Sequence, residues 1–286
     1  MKEVIKVSDI SYKVKNKHIV SDVCFNVEEG DSFALLGENG SGKSTLIDLI
    51  LDDLKPNKGN VVFFNKKSRD YSKIGIVYDH LPLFPNLKVS ESIKYFSVIH
   101  KLNFNTIKDK YFDAFSINKI LESFVKELSQ GERKRLGLLL SVIHNPDLLI
   151  LDEPFANIDP TAIDRFWKVI RQDNRTVFFS THNWTKAETL CNKVGFIFKG
   201  RMIIEPQSPK DILDSMPSST KVILNNNNEF LEHLADCKYY QDEDKLVVFI
   251  ENNQLQLISK FTNNFSVQAV DLKDAYLYYT SNINEL

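Results

Sequence analysis

Residues 37–45 read Gly-Glu-Asn-Gly-Ser-Gly-Lys-Ser-Thr, a glycine-rich stretch that contains Gly42-Lys43-Ser44. An apolar run at 33–36 precedes it and predicts a buried strand, while the apolar residues from Leu46 onward predict the start of a helix. A glycine-rich loop between a strand and a helix, ending in lysine and serine, is typical of a phosphate-binding loop. The stretch therefore predicts an α/β fold that binds a nucleoside triphosphate.

The residue types in this loop suit phosphate chemistry. Glycines let the backbone approach a phosphate closely, and consecutive N–H groups at a helix N-terminus form an anion site. Lys43 is expected to reach the outer phosphates, and the Ser44 hydroxyl is expected to bind Mg²⁺. The predicted ATP-binding residues of the loop are Gly37, Glu38, Asn39, Gly40, Ser41, Gly42, Lys43, Ser44 and Thr45.

Composition bounds the class of protein. The 286 residues suffice for one large domain with a small one, or for two medium domains. Hydrophobic content of 43% and charged content of 26% are typical of a globular protein. A net charge of −2 without a basic block argues against nucleic-acid binding. The three isolated cysteines predict a reducing compartment, and no apolar run approaches the ~18 residues of a membrane span.

A second stretch, Leu-Leu-Ile-Leu-Asp-Glu-Pro at 148–154, predicts a buried strand that ends in two carboxylates. In a phosphate-loop protein the carboxyl end of such a strand faces the nucleotide. Asp152 is expected to hold Mg²⁺. Glu153 is expected to polarise the attacking water.

A third stretch, Leu-Ser-Gln-Gly-Glu at 128–132, precedes that strand. Ser129 and Glu132 have the spacing of a capping box, which predicts a helix that starts here. A helix N-terminus with a hydroxyl and a glycine N–H group is also a phosphate site, so both interpretations stay open.

Together these stretches resemble the nucleotide-binding subunit of an ATP-binding-cassette (ABC) transporter, over residues 1–205. The resemblance implies an ABC ATPase domain with a RecA-like core, an antiparallel β subdomain and a helical subdomain. It also implies a head-to-tail dimer with a second ABC subunit, homomeric or heteromeric, that encloses two ATP molecules. A separate membrane permease would be the other partner, and its coupling helix would lie between 79–89 and 90–127.

The resemblance assigns further site residues. The signature Ser129, Gln130, Gly131 and Glu132 would contact ATP bound by the partner. Asp159 would belong to the D-loop, and His182 would be the switch histidine that contacts the γ-phosphate. Asp79 stands where the family has the Q-loop glutamine and would join Ser44 and Asp152 at the metal. Val14 stands where the family has the aromatic residue that stacks on adenine. Either Tyr12, two residues earlier, would stack on the base, or base stacking would be weak. Gln130, Glu132 and Asp79 depart from the residues that the family has there.

The chain outside the minimal cassette differs in composition. We expect the ABC domain over 1–205, with its helical subdomain at about 85–145, a proline-punctuated linker at 206–218, and an accessory α+β domain at 219–286. Patterning in the last segment predicts the order strand, helix, strand, strand, helix, strand, helix.

The tail favours export. Val270-Asp271-Leu272-Lys273-Asp274 resembles the ending of exporter subunits in the drug, antibiotic and bacteriocin-resistance group, of the ABC-2 type. An exported peptide, toxin or antibiotic is expected, with phenol-soluble modulin peptides as one candidate. The expected location is the cytoplasmic face of a bacterial membrane, reached through the permease. The alternative is a soluble ABC ATPase in translation or DNA repair.

Overall fold

The computed structural model describes residues 2–66, 70–225, 238–242, 244–250 and 264–281. Its contacts divide the chain into two compact units. Unit one comprises Met1–Asn183 with Leu190–Pro206, and unit two comprises Trp184–Thr189 with Gln207–Leu286. We expected domain boundaries at 205 and 219. Residues 184–189 group with the second unit, which that expectation did not include.

Unit one contains a six-stranded sheet in the order β5-β6-β7-β3-β8-β9. Its strands are β3 (Ser32–Leu36), β5 (Ile74–Val77), β6 (Leu148–Asp152), β7 (Thr176–Thr181), β8 (Lys193–Phe198) and β9 (Arg201–Met202). All neighbours pair in parallel except β8 and β9. The inner strands β3, β6 and β7 are almost wholly buried, as in a parallel sheet covered on both faces, and β3 and β6 are mostly apolar.

A second, antiparallel sheet in unit one has the order β2-β1-β4. Its strands are β1 (Glu3–Val14), β2 (Lys17–Glu28) and β4 (Lys58–Phe63). The register of β1 against β2 shifts between Val7 and Ile10, where Asp9 has φ +50°. With this irregularity β1 continues to Val14, although the alternation of buried and exposed side chains along the strand is interrupted.

The helices of unit one follow the phosphate loop in sequence, between residues 43 and 172. They are α1 (Lys43–Leu51), α2 (Val89–Ile99), α3 (Phe104–Tyr111), α4 (Gln130–Val142) and α5 (Pro160–Gln172), with 3₁₀ turns at Tyr71–Lys73, Asn118–Ile120 and Val125–Glu127. The segment expected to be helical at about 85–145 thus consists of α2, α3 and α4 joined by turns. No described helix is long and apolar enough to cross a membrane.

Unit two has an antiparallel sheet in the order β11-β12-β10-β13. Its elements are α6 (Trp184–Leu190, its last residue in unit one), α7 (Pro209–Asp214), β10 (Thr220–Asn225), β11 (Tyr239–Asp242), β12 (Lys245–Ile250), β13 (Phe265–Ala269) and α8 (Leu272–Ser281). The two inner helices of the expected order lie outside the described residues. Strands and helices together confirm the α+β class of this tail.

The span 206–218 is not simply a linker, because it contains α7. Ser208 caps this helix by accepting a hydrogen bond from the Asp211 N–H group at 3.1 Å, and Pro209 occupies the first helical turn. Serine and proline are common in linkers, but this spacing is also that of a helix start.

The tail motif around Asp271 and Asp274 has a structural role. Each carboxylate accepts a hydrogen bond from the other residue's N–H group, which closes the first turn of α8. Asp274 is fully buried, and its carboxylate pairs with the Lys221 ammonium at 2.6 Å. It also accepts a hydrogen bond from the Tyr240 hydroxyl at 2.9 Å. The motif therefore ties α8 to the sheet of unit two.

Candidate functional site

The phosphate loop connects β3 to α1, and two of its glycines are required by close packing. A Cβ atom on Gly37 would lie 2.4 Å from the Ile197 carbonyl oxygen. Gly42 has φ +107°, a conformation that other residues rarely adopt, and it precedes the first residue of α1. Only glycine suits both positions, and the loop lies tightly against β8.

Lys43 lies at this helix start with only 6% of its surface exposed. Its ammonium donates hydrogen bonds to the carbonyl oxygens of Gly37 at 2.8 Å and Glu38 at 3.0 Å. It also lies 3.7 Å from Glu153 Oε1. Burial lowers the pKa of Lys43, and the nearby Glu153 carboxylate opposes that shift. The cation is thus buried and held by weak carbonyl partners that a phosphate can replace.

Asp152 and Glu153 follow the apolar part of β6, as the sequence predicts. Asp152 is buried and pairs in register with Ser180 of β7. The Ser180 hydroxyl donates a hydrogen bond to Asp152 Oδ1 and accepts one from the Glu153 N–H group at 3.0 Å. One serine therefore orients both neighbouring carboxylate residues.

Glu153 lies between Lys43 and His182. Its Oε2 atom is 3.0 Å from His182 Nδ1, and its Oε1 atom is buried without a hydrogen-bond partner among the described residues. Glu153 has φ +43°, in the left-handed region that glutamate rarely adopts. His182 follows β7 with a half-exposed side chain. Backbone strain and an unsatisfied buried oxygen are frequent at functional sites, which supports the catalytic role predicted for Glu153.

The residues present fit ATP with Mg²⁺. Within the described ranges, no cluster of three or more His, Cys, Asp or Glu side chains can hold a metal alone. Mg²⁺ in phosphate sites uses one or two protein oxygens and takes its other ligands from phosphate and water. Ser44 at the start of α1 and Asp152 at the end of β6 are the residues that would hold it. The ion would neutralise charge that develops on the phosphates.

The signature residues begin α4. The Ser129 hydroxyl accepts a hydrogen bond from the Glu132 N–H group at 3.3 Å. The Glu132 carboxylate in turn accepts hydrogen bonds from the Ser129 N–H and hydroxyl groups at 2.9 and 2.8 Å. The backbone hydrogen bond from Ser129 lowers the pKa of Glu132 below its ordinary value. The expected capping box is present.

The predicted signature contacts residues 156–160, which form the predicted D-loop, within the same subunit. The Asn157 side-chain amide donates a hydrogen bond to Gln130 Oε1 at 2.9 Å. A Cβ atom on Gly131 would lie 2.4 Å from the Asn157 carbonyl oxygen. Gly131 therefore has a packing role within one subunit in addition to the predicted approach to phosphate. Asp159 caps α5 by accepting a hydrogen bond from the Thr161 N–H group at 2.8 Å.

Asp79 and the candidate adenine contacts have other surroundings. Asp79 follows β5, and its Oδ1 atom lies 3.0 Å from the Lys134 ammonium of α4. Tyr12 lines a polar cavity of about 470 Å³ that also includes Lys13 and Arg201. Val14, at the end of β1, is 48% exposed. The metal role of Asp79 and the stacking roles of Tyr12 and Val14 stay predictions.

Sequence reasoning missed Ser180, Asn157 and Lys134. Ser180 could have been found as a polar residue at the end of the apolar strand that precedes His182. Asn157 and Lys134 gave no such signal, because their partners Gln130 and Asp79 are distant in sequence.

Comparison with known proteins identifies the family. The ABC transporter family model matches residues 20–156. The chain is 31% identical to the ABC transporter ATP-binding protein YdbJ of Bacillus subtilis, over 71% of this chain and 68% of that protein. It is 29% identical to the lantibiotic transport ATP-binding protein SrtF of Streptococcus pyogenes, over 71% of this chain and 91% of that protein. The bacitracin transport ATP-binding protein BcrA of Bacillus licheniformis is 28% identical, over 88% of this chain and 80% of that protein.

Solved structures give the same result. The structure of cbiO1 from Clostridium perfringens, part of the ABC transporter complex cbiONQ, is 27% identical, with a TM-score of 0.63 over 75% of this chain and 92% of that chain. The expected ABC ATPase fold is therefore confirmed. The chain is therefore an ATP-binding protein of the ABC transporter family.

Proposed function

We propose that this chain hydrolyses ATP in a dimer of ABC subunits and thereby powers the export of antibiotic or bacteriocin peptides through a separate permease. ATPase activity is the activity of its family. The observation that supports the catalytic part best is the position of Glu153, whose two carboxylate oxygens face Lys43 at 3.7 Å and His182 at 3.0 Å.

Each residue has a chemical role in this proposal. Glu153 accepts the proton of the attacking water, and His182 orients its carboxylate and contacts the γ-phosphate. Lys43 exchanges its carbonyl partners for phosphate oxygens and stabilises the charge that develops there. Ser44 and Asp152 would hold Mg²⁺, which would neutralise charge on the phosphates. The residues 37–45 bind the remaining phosphate oxygens through their N–H groups.

The dimer completes the site. Ser129, Gln130, Gly131 and Glu132 contact the ATP held by the partner's phosphate loop, and Asn157 holds the signature to the D-loop. ATP binding then closes the dimer, and hydrolysis reopens it. The partner is a second copy of this chain or a related ABC subunit.

The cargo is inferred from relatives. SrtF and BcrA are named for transport of a lantibiotic and of bacitracin, and the linearmycin resistance ATP-binding protein LnrL of Bacillus subtilis is 29% identical. These names favour peptide or antibiotic export, of which phenol-soluble modulins are a narrower candidate. They do not favour the soluble alternative in translation or DNA repair.

An apolar groove in unit one suits a coupling helix of the permease. Its volume is about 270 Å³, and its lining includes Ile76, Leu81, Leu83, Phe96, Gly137 and Leu140. Two exposed aromatic residues are neighbours of the lining in sequence: Phe84 follows Leu83, and Tyr95 precedes Phe96. Phe84 is 44% exposed and Tyr95 is 47% exposed, and their ring centroids are 5.2 Å apart. Exposed apolar side chains of this kind mark interaction sites. Through this contact the chain would lie peripherally at the cytoplasmic face of the membrane.

Affinity purification from membranes in mild detergent tests the partner. We expect a small hydrophobic permease to copurify with the wild-type chain and to be lost with Phe84→Glu, which places a charge on the apolar surface. Val267→Glu is a matched control, because Val267 is 47% exposed in unit two. Recovery with ribosomes or DNA and without a membrane protein would contradict the transporter proposal.

A further inference from the structure

Lys134 of α4 is a buried cation whose counter-charge comes from another part of the chain. Only 7% of the surface of this residue is exposed. Its ammonium lies 3.0 Å from Asp79 Oδ1 and 3.5 Å from the Tyr78 carbonyl oxygen. A buried ammonium is strongly destabilising unless it is paired and hydrogen-bonded. Asp79 therefore supplies a charge that Lys134 needs in the folded state.

A second contact joins the same two segments. A Cβ atom on Gly137 would lie 2.6 Å from Leu81 Cδ2, so α4 packs tightly on the residue two positions after Asp79. Gly137 follows Lys134 by three residues, which places both on one face of the helix. The segment after β5 is thus held to α4 by one ion pair and one close apolar contact.

The same segment also contacts the far end of the helix that follows the phosphate loop. The Tyr78 hydroxyl donates a hydrogen bond to Asp53 Oδ2 at 2.7 Å, and Asp53 lies just beyond the end of α1. Contacts therefore run from the end of α1, through Tyr78 and Asp79, to Lys134 of α4. The helix that starts at the phosphate loop is connected in this way to the helix that starts at the signature.

We propose that Asp79 and Lys134 form a strut that positions the signature helix relative to the phosphate loop, and that Asp79 acts through this pair and not as a ligand of Mg²⁺. The proposal rests on the proposed function, in which the signature completes the partner's ATP site. Movement of the Asp79 carboxylate to a metal ion would leave the buried Lys134 ammonium without its counter-charge. The short Asp79 side chain therefore stays paired with Lys134 of α4.

A double-mutant cycle tests the strut with the purified full chain. Asp79→Asn, Lys134→Met and the double variant are compared with wild type in kcat for ATP and in the Mg²⁺ concentration that gives half-maximal rate. We expect each single variant to lower kcat about tenfold, and the double variant to lose no more than the worse single one. The Mg²⁺ requirement should stay unchanged, and Lys134→Arg should retain most of the rate.

Three results would overturn the proposed role of this ion pair. A higher Mg²⁺ requirement in Asp79→Asn but not in Lys134→Met would make Asp79 a metal ligand, and losses that multiply in the double variant would show no coupling. Lys88→Met is the control, because it breaks the exposed ion pair with Glu122. Thermal unfolding of wild type, the two single variants and the double variant measures the coupling of the pair independently of ATPase activity. Additive shifts in Tm would also contradict the proposed coupling. If the wild-type chain does not hydrolyse ATP, only the proposed function is contradicted, because the Tm values still test the ion pair.

Discussion

At the scale of single residues, the Ser180 side chain links the two acidic residues of the candidate site. Its hydroxyl is fully buried and joins Asp152 to the backbone of Glu153. A carboxylate that binds a metal needs a fixed orientation, and partners beyond the first ligands provide it. The two acidic residues were predictable from the sequence because they end an apolar run. The serine was not assigned a role, because its contact depends on the pairing of β6 with β7.

We expect Ser180→Ala to lower kcat for ATP hydrolysis about tenfold, because Asp152 and Glu153 lose their common hydrogen-bond partner. The free energy of unfolding should fall by about 1 kcal/mol. Steady-state ATPase assays and denaturant unfolding measure the two effects. Ser97→Ala is the control, since the buried Ser97 hydroxyl donates a hydrogen bond to the Ile93 carbonyl oxygen within α2. An equal loss of kcat in both variants would refute the role of Ser180.

At the scale of secondary-structure elements, the N-terminus of α4 combines a capping box with an unusual charge. The sequence predicted the cap at Ser129 correctly, because the Ser-x-x-Glu spacing is local. It did not predict the link from Gln130 to Asn157, which joins two elements that are distant in sequence. Glu132 carries a negative charge where a phosphate of the partner's ATP is expected. That charge opposes phosphate binding, although it strengthens the cap.

Glu132→Gln keeps the hydrogen-bonding shape of the cap and removes this charge. We expect dimer formation at an about fivefold lower ATP concentration, which corresponds to ~1 kcal/mol of relieved repulsion. Light scattering during an ATP titration measures the change. Glu91→Gln is a matched control, because Glu91 accepts a hydrogen bond from the Lys88 N–H group at the start of α2. A requirement for more ATP in Glu132→Gln would mean that its charge assists the site.

At the scale of the whole molecule, the sequence predicted the features that depend on local patterns. The phosphate loop, the apolar strands of the parallel sheet and the α+β tail follow from short periodic stretches and turns. Two features depended on contacts between distant parts of the chain and were missed. Residues 184–189 group with the second unit, and the tail motif at Asp271 and Asp274 meets Lys221 of β10.

We propose above all that Glu153 activates water at an ATP site that two subunits complete. The most direct test is the oligomeric state and hydrolysis rate of Glu153→Gln, measured by light scattering and phosphate release with and without ATP and Mg²⁺. We predict a stable dimer that forms only with ATP, together with a loss of hydrolysis of at least about a hundredfold, because glutamine cannot accept the proton of water. A variant that stays monomeric with ATP and hydrolyses it at the wild-type rate would contradict this account.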